Sequence, residues 1–283
     1  MQAVRVSNRC RGTQFWATAR KQWAANVLPG LSQRHFDPLR SRLRLFVADM
    51  SPQISAAHPQ AVLCDLDGTL LDSNAQHAEA WQKAFEHFGI STTFEQVLHQ
   101  IGKGGDNLVP VFVPEPDRAR LQKPLEKYRK ELFRQEYLPH IKAFPGAREL
   151  LLKMKTAGMR VALASSSNKE DLEKFKEIAD IAELVDEETS SDDTEHSKPA
   201  PDIFQATLER LRLPAERVLA LGDTPWDVEA AGKARVKTVA VTSGGWSEHD
   251  LREAGAIEVY PSVAELSHNL NRSAFLRRQA TSG

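Results

Sequence analysis

Short apolar runs recur along the chain from about residue 60, and stretches with helical spacing separate them. Runs that are apolar on both faces are typical of buried strands in a parallel sheet, because helices cover both sides of such a sheet. The predicted strands are 61–64, 161–164, 217–222, 237–241 and 257–260. Strands that alternate with helices predict an α/β fold, a doubly wound, Rossmann-like parallel sheet.

The predicted helices lie between these strands, and one long helical insertion interrupts the alternation. Residues 147–158 end on a glycine and residues 201–213 begin with a proline, which are common signals of a helix end and a helix start. Between the first strand and Pro145, about eighty residues show helical spacing and no strand pattern, notably at 77–89 and 118–138. We interpret this insertion as a helical cap.

These patterns predict a division of the chain into parts. Residues 56–73 and 144–272 form the α/β core, residues 74–143 form the cap, and residues 273–283 form a C-terminal tail. Residues 1–55 are predicted to be a basic, poorly ordered extension. Its charge separates it from the rest, since residues 1–49 hold nine Lys or Arg against two Asp, whereas the remainder carries a net charge of −8.

The extension has three interpretations. It is a poorly ordered extension, for example one left by an over-long translation start ahead of Met50, an organellar transit peptide rich in Arg, or an arm that binds nucleic acid. The acidic main body opposes the last of these, because it would repel phosphate backbones. We therefore expect no nucleic-acid partner.

Composition narrows the class of protein. The whole chain is 41% hydrophobic and 27% charged with a net charge of −1, as globular proteins are. It holds no run of eighteen apolar residues, which predicts no membrane span. Cys10 and Cys64 form neither a disulfide framework nor a CxxC zinc motif. A reducing, cytoplasmic setting is expected, with organellar targeting left open, and the sequence favours neither a monomer nor a homodimer.

The sequence Asp65-Leu66-Asp67-Gly68-Thr69-Leu70 follows the first predicted strand directly. Ligands of open α/β sheets bind at the carboxyl ends of the strands, so both carboxylates are placed where a ligand binds. Like charges held this close require a cation or a shared proton. Gly68 permits a sharp change of chain direction. Alone, the motif is also compatible with a solvated turn.

Polar residues follow three later segments in the same way. Ser165 ends the second predicted strand and begins the run 165–168 (SSSN), which either caps a helix or binds phosphate through helix N-terminal amides. Lys198 lies in HSKPAPD, just before a helix. Asp223 and Asp227 lie in GDTPWD, after the third strand, where both also suit helix capping.

Taken together, DxDGT, the strand-end serine, KPxPD and GDTxxD resemble the haloacid dehalogenase superfamily of phosphatases and phosphomutases in order and spacing, over about residues 60–270. The helical insertion looks like the cap that one branch of this superfamily carries after its first strand. The resemblance implies a phosphatase core with a helical cap.

The resemblance also implies roles for the core residues. Asp65 would be the nucleophile that forms an aspartyl-phosphate, and Asp67 would be the general acid and then the general base. Lys198 would balance charge, and Ser165 would hold phosphoryl oxygens. The neighbouring Ser166 and Asn168 are assigned to substrate binding.

A Mg²⁺ ion is the implied cofactor. Its ligands would be a carboxylate oxygen of Asp65, the backbone carbonyl of Asp67 and the carboxylate of Asp223, an all-oxygen set that suits a hard cation. Asp227 would orient a ligand of the metal or pair with Lys198.

The cap contributes two further substrate-binding candidates. Lys103 lies in the Gly-rich run 101–108, which looks like a turn of phosphoglycolate phosphatases but is also plausible as a plain turn between helices. His77, with Trp81 after it, is similar to a pair in β-phosphoglucomutase relatives. Thr69 is closer to the phosphatase form of the first motif, which favours a phosphatase over a mutase.

We therefore expect a Mg²⁺-dependent phosphomonoester hydrolase that acts on a small phosphorylated metabolite, similar to phosphoglycolate or a sugar phosphate, through an aspartyl-phosphate. The alternative is a β-phosphoglucomutase-like sugar phosphomutase. A non-enzymatic binding protein of the superfamily is a further reading, but such proteins typically lack a motif residue. The intact acidic cluster argues against a dehalogenase, which needs no Mg²⁺.

Overall fold

A computed structural model describes residues 58–277 of the chain. The N-terminal extension at 1–55 falls outside the described residues, so its three interpretations and the expected cytoplasmic location stay predictions. Within 58–277, no helix has both the length and the apolar character needed to cross a membrane.

Eight strands and ten helices organise the described residues. The strands are β1 (Ala61–Cys64), β2 (Leu71–Asp72), β3 (Lys142–Ala143), β4 (Arg160–Ala164), β5 (Glu187–Thr189), β6 (Val218–Gly222), β7 (Lys237–Val241) and β8 (Glu258–Tyr260). The helices are α1 (Asn74–His87), α2 (Phe94–Leu98), α3 (Gly105–Phe112), α4 (Glu115–Leu132), α5 (Ala147–Thr156), α6 (Lys169–Ala179), α7 (Asp202–Leu211), α8 (Pro225–Lys233), α9 (Glu248–Glu253) and α10 (Val263–Asn269).

Six of the strands form one parallel sheet in the order β5-β4-β1-β6-β7-β8. The first strand is central, and the chain builds outwards from it in both directions, so the predicted doubly wound α/β fold is confirmed. Alternate residues of β1 enter different apolar clusters. Val62 and Cys64 pack with α5, α6 and α10, whereas Ala61 and Leu63 pack with α7 and α8.

The helical insertion has an apolar cluster of its own. Helices α1 to α4 bury Trp81, Phe85, Leu108 and Leu125 against one another. After α4 the chain continues through a π-helical turn at Phe133–Tyr137 and a 3₁₀ turn at Leu138–His140. The chain enters and leaves the cap through a small antiparallel ribbon in which β2 pairs with β3.

Three features differ from the sequence-based expectations. The ribbon β2–β3 was not predicted, because a strand of two residues shows no alternation. Strand β5 was also missed, since Glu187, Glu188 and Thr189 are polar residues at the edge of the sheet. Finally, residues 273–277 of the predicted tail lie on the core, where Phe275 is fully buried.

Candidate active site

Most of the polar residues predicted to act together follow the carboxyl ends of β1, β4 and β6, three neighbouring strands, whereas Lys198 lies in the segment between β5 and α7. The backbone N–H of Asp65 donates to the carbonyl of Leu221 at 2.9 Å and so ties the end of β1 to β6. Gly68 then turns the chain with φ of 79°, and a Cβ at this position would overlap Asn74 and Asp223. Only glycine fits this turn without strain.

Lys198 is fully buried between two carboxylates. Its Nζ lies 2.5 Å from Asp65 Oδ1 and 2.7 Å from Asp227 Oδ1. Asp227 also accepts hydrogen bonds from the backbone N–H and the hydroxyl of Thr224, at 3.1 and 2.6 Å, which caps α8. The ion pair and the helix cap, two alternatives for Asp227, are therefore both present.

Asp223 is held by two residues from the first motif and from α1. Thr69 Oγ1 donates to Asp223 Oδ1 at 2.7 Å, and Asn74 Nδ2 donates to Asp223 Oδ2 at 2.9 Å. Asn74 was not predicted as a site residue, since its partner is 149 positions away in the sequence. A Cβ at Gly244 would overlap the Asp223 carboxylate, so the site also needs glycine there.

The buried carboxylates around Lys198 carry more negative charge than this one lysine balances. Carboxylate oxygens of Asp65, Asp223 and Asp227 lie within 4.8 Å of one another, and all three residues are buried. Burial raises the pKa of Asp65 to about 7 although Lys198 lowers it, and burial raises the pKa of Asp223 well above its ordinary value. One lysine against three carboxylates leaves an excess of negative charge. An all-oxygen donor set with such an excess fits a hard divalent cation.

Asp67 lies apart from this cluster and is surrounded by donors. Its carboxylate accepts hydrogen bonds from Ser73 Oγ at 2.6 Å and Ser167 Oγ at 3.1 Å, and His77 Nε2 lies 2.9 Å away. Burial raises the pKa of Asp67, but His77 and the two hydroxyls outweigh burial and bring the pKa down to about 2. Asp67 is therefore ionised in this arrangement.

The geometry defines the tautomer of His77. Arg129 Nη2 lies 3.1 Å from His77 Nδ1, and a guanidinium can only donate, so Nδ1 is the unprotonated nitrogen. His77 Nε2 then carries the proton and donates it in the hydrogen bond to Asp67. The ring stacks on Phe133 at a centroid distance of 4.0 Å. His77 thus contacts a carboxylate of the core, whereas Arg129 was not predicted at all.

The serines that follow β4 contact different parts of the protein. Ser165 is fully buried, and its Oγ accepts a hydrogen bond from the N–H of Ser167 at 3.1 Å. Ser166 Oγ donates to the carbonyl of Gly102 in the cap at 3.2 Å. Asn168 caps α6 through the N–H of Asp171, as the capping alternative for this run requires. The phosphoryl-binding role of Ser165 and the substrate-binding roles of Ser166 and Asn168 stay predictions.

A cavity of about 400 Å³ lies between these core residues and the cap. Asp65, Asp67, Ser166 and Asn168 line the core side. The cap side includes His77, Trp81, Lys103, Glu126, Arg129 and Lys130. The candidate catalytic carboxylates Asp65 and Asp67 and a mostly charged cap surface therefore share one cavity.

Lys103 is half-buried on the cap side of the cavity. Its Nζ donates to Gln100 Oε1 at 2.7 Å and lies 3.9 Å from the ring centroid of Trp226, which belongs to the core. Burial lowers the pKa of Lys103. Its substrate-binding role stays a prediction, since the ammonium already has partners on both sides of the cavity.

Residues 104–107, which follow Lys103 directly, join the cap to the segment that carries Lys198. The N–H of Gly104 donates to Ser197 Oγ at 2.9 Å, and Asn107 Nδ2 donates to the carbonyl of Ser197 at 3.1 Å. Asp106 accepts from the N–H of Ser197 at 3.1 Å. Residues 104–107 therefore contact the core as well as connecting two helices of the cap.

Comparisons with known proteins agree with this geometry. A profile of haloacid dehalogenase-like hydrolases matches residues 62–241, which is more than half of the chain. A phosphoglycolate phosphatase of Aquifex aeolicus is 31% identical over 194 residues, which cover 65% of this chain and 85% of the relative.

Two further matches extend the comparison. Protein SUPPRESSOR OF QUENCHING 1, chloroplastic, of Arabidopsis thaliana is 29% identical over 250 residues, 82% of this chain, but the chain spans only 23% of that relative's length. Among solved structures, CbbY of Rhodobacter sphaeroides in complex with xylulose-(1,5)bisphosphate is 25% identical with a TM-score of 0.60, over 74% of this chain and 96% of that one.

Proposed function

Because the chain belongs to the haloacid dehalogenase-like hydrolases, we propose that it is a Mg²⁺-dependent phosphomonoesterase that works through an aspartyl-phosphate on Asp65. The observation that carries this proposal is the pairing of two carboxylates in one cavity. Asp65 lies beside buried Lys198 and the acidic cluster, whereas Asp67 is surrounded by donors. Two carboxylates in such different environments suit two different roles.

In the first step, a carboxylate oxygen of Asp65 attacks phosphorus, and the bond from phosphorus to the leaving oxygen breaks. Asp67 gives a proton to that oxygen. Lys198 remains beside Asp65 and offsets part of the charge that gathers there. The low pKa of Asp67 must rise for this step, and the arriving phosphoryl anion raises it because like charges disfavour ionisation.

In the second step, ionised Asp67 takes a proton from water, and the resulting hydroxide attacks phosphorus. Inorganic phosphate leaves, and the Asp65 carboxylate is restored. The hydrogen bond from His77 Nε2 holds Asp67 in position for both proton transfers. The state of Asp67 in the structure is the base form that this second step requires.

The carboxylates of Asp65, Asp223 and Asp227 would hold Mg²⁺, with Asp67 contributing at most its backbone carbonyl. When bound, the ion would neutralise charge so that an anionic nucleophile can approach an anionic phosphate. Thr69 and Asn74 keep the Asp223 carboxylate oriented towards the cluster.

A small phosphorylated metabolite is the proposed substrate, similar to phosphoglycolate or a sugar phosphate. The relative named phosphoglycolate phosphatase and the CbbY complex with a sugar bisphosphate both support this class. A sugar phosphomutase is the alternative, since the contact of His77 with Asp67 suits return of the phosphoryl group to a bound sugar equally well.

Phosphate release tests the proposal. Wild-type enzyme, treated with EDTA and then supplied with Mg²⁺ or with none, is assayed with 2-phosphoglycolate and with several sugar phosphates. We expect release only with Mg²⁺, and none from Asp65→Asn. Glu209→Gln, which neutralises an exposed carboxylate on α7, is the matched control and should equal wild type.

Two outcomes would contradict the proposal: full activity in the metal-free enzyme, or release by well-folded Asp65→Asn at a rate near that of wild type. Conversion of a sugar 1-phosphate to the 6-phosphate with little free phosphate would favour the mutase instead.

A further inference from the structure

Among the residues that the structure describes, no carboxylate forms an ion pair with Arg129, a cation of the cavity wall. It projects from α4, and its side chain lines the same cavity as Asp65 and Asp67. Within residues 58–277, no carboxylate oxygen lies within 4.0 Å of its guanidinium, and its one hydrogen bond is the 3.1 Å contact to His77 Nδ1. Its Nε is buried and has no hydrogen-bond partner among the described residues.

The surroundings of Arg129 increase the cost of leaving it unpaired. The guanidinium carbon lies 5.0 Å from the ring centroid of Trp81 and 5.4 Å from that of Phe133. Burial lowers the pKa of Arg129, although nearby acids partly oppose this. Aromatic faces attract a guanidinium, but they replace only part of the hydration that it has lost.

The acids nearest to Arg129 already have partners. Asp67 receives three hydrogen bonds from other residues, and Asp171 forms an ion pair with Arg134 at 2.6 Å. Glu126 accepts from Gln122 at 3.1 Å, and burial raises its pKa, which favours its neutral form. Within residues 58–277, the acids closest to Arg129 would therefore have to give up existing hydrogen bonds or ion pairs to contact it.

Three other cations of the described chain with little exposed surface are paired with carboxylates. Lys198 lies between two carboxylates, Lys176 contacts Glu173 and Glu188 at 2.8 and 2.5 Å, and Arg134 contacts Glu170 and Asp171. A buried charge is normally paired in this way because an isolated one is strongly unfavourable. Arg129 departs from this rule inside the cavity that would hold the substrate.

We propose that Arg129 binds an anionic group on the leaving-group side of the substrate, a carboxylate or a second phosphate, and so selects substrates that carry two anionic groups. This inference rests on the proposed function, because it concerns the same cavity. Asp65 and Asp67 define where the transferred phosphoryl group lies, and Arg129 reaches the same cavity from α4 of the cap. A guanidinium offers parallel N–H donors that match a carboxylate or phosphate.

A competing role for Arg129 is to orient the ring of His77 and, through it, Asp67. Such a positioning role would affect every substrate equally, because Asp67 serves the phosphoryl group that all substrates share. Binding of a leaving-group anion would affect only substrates that have one. The two roles therefore separate when substrates matched in shape but different in charge are compared.

The experiment compares kcat/KM for 2-phosphoglycolate with that for 2-hydroxyethyl phosphate, in which a neutral hydroxymethyl group replaces the carboxylate. Fructose 1,6-bisphosphate and fructose 6-phosphate form a second pair. For Arg129→Gln we expect a loss of roughly ten- to a hundredfold on the more preferred of the two substrates that carry a second anionic group, mostly in KM, and a loss within about threefold on its partner. Arg129→Lys should restore part of the loss.

Lys127→Gln is the matched control, since it removes one positive charge from the exposed face of the same helix. It should leave both members of each pair unchanged. Equal losses on both members for Arg129→Gln would assign Arg129 to positioning His77 and overturn the proposal, as would no loss on either.

A direct measurement of binding tests the inference separately from the proposed function. Calorimetry with Asp65→Asn measures the affinity for the same four compounds, with and without Arg129→Gln. We expect Arg129→Gln to weaken binding of the preferred compound with a second anionic group, and of no other compound. If neither compound with a second anionic group binds more tightly than its partner, the inference fails even where phosphatase activity is present. If binding follows the prediction but no phosphate is released by wild type, the proposed function fails and the inference stands.

Discussion

The core side and the cap side of the cavity differ in how their charged groups are held. On the core side, Asp65, Asp227 and Lys198 form a buried ion-pair cluster, and Thr69 and Asn74 orient Asp223. On the cap side, Lys103 and Arg129 lie against aromatic rings rather than carboxylates. The core is thus preorganised around a cluster of its own charges, whereas the cap presents two cations that have no carboxylate partner among residues 58–277.

This difference matches a division of labour. Groups that act on the phosphoryl unit meet the same chemistry in every substrate, so a rigid arrangement serves all of them. Groups that contact the leaving group meet different chemistry, and a cation without a carboxylate partner retains its capacity to bind an anion. The comparison predicts that core substitutions depress all substrates alike, whereas cap substitutions change their ranking.

After Asp65→Asn, the largest effect on activity should come from Asp67→Asn. The amide can neither give nor take the proton, so kcat should fall by about 10²- to 10⁴-fold on every substrate, whether or not its leaving group is charged. Steady-state kinetics on one neutral and one anionic leaving group measure this. A loss confined to one class of substrate would contradict the distinction between the core side and the cap side, because it would give Asp67 a selective role.

Lys198→Ala should reduce stability. Removal of the ammonium leaves Asp65 and Asp227 buried without their partner, which typically costs about 3–5 kcal/mol of unfolding free energy. Urea denaturation without metal measures the loss, and Mg²⁺ should restore part of it by supplying positive charge. Lys174→Ala, at an exposed ion pair, is the control and should change stability by at most about 1 kcal/mol. A Lys198→Ala protein as stable as wild type would contradict the account of the core.

The smallest of these effects should come from Lys103→Gln. The ammonium is half-exposed and already contacts Gln100 and Trp226, so its loss should cost about 0.5–1 kcal/mol, which is two- to fivefold in kcat/KM. Any loss should fall more heavily on anionic leaving groups. Kinetics on the charged and neutral pair of substrates measure it, and a loss larger than that of Arg129→Gln would make Lys103 the principal cation of the cap.

Much of the fold and of the core side was predictable from the sequence. Buried parallel strands are continuous apolar runs, and ligand-binding residues follow their carboxyl ends, which located Asp65, Ser165 and Asp223. Strand β5 was not predicted in this way because Glu187 and Glu188 are polar. What the sequence could not predict depends on packing. Asn74 is 149 residues from its partner Asp223, and no local pattern encodes such a contact.

The cap side was less predictable for the same reason. Lys103 was selected because its loop is rich in glycine, yet the structure brings its ammonium over Trp226. Arg129 lies in a strongly charged helix where nothing in the sequence separates it from Lys127 or Lys130. Only the position of α4 against α1 shows that Arg129 contacts His77 and that Lys127 is exposed.

Asp65 should carry the phosphoryl group during turnover. Enzyme mixed with excess substrate and Mg²⁺ is quenched in acid within the first turnovers, digested and analysed by mass spectrometry. The account predicts one phosphoryl group on the peptide that contains Asp65, lost on treatment with hydroxylamine and absent from Asp65→Asn. Rapid phosphate release with no phosphorylated Asp65 at any quench time, or a phosphoryl group on a different residue, would contradict it.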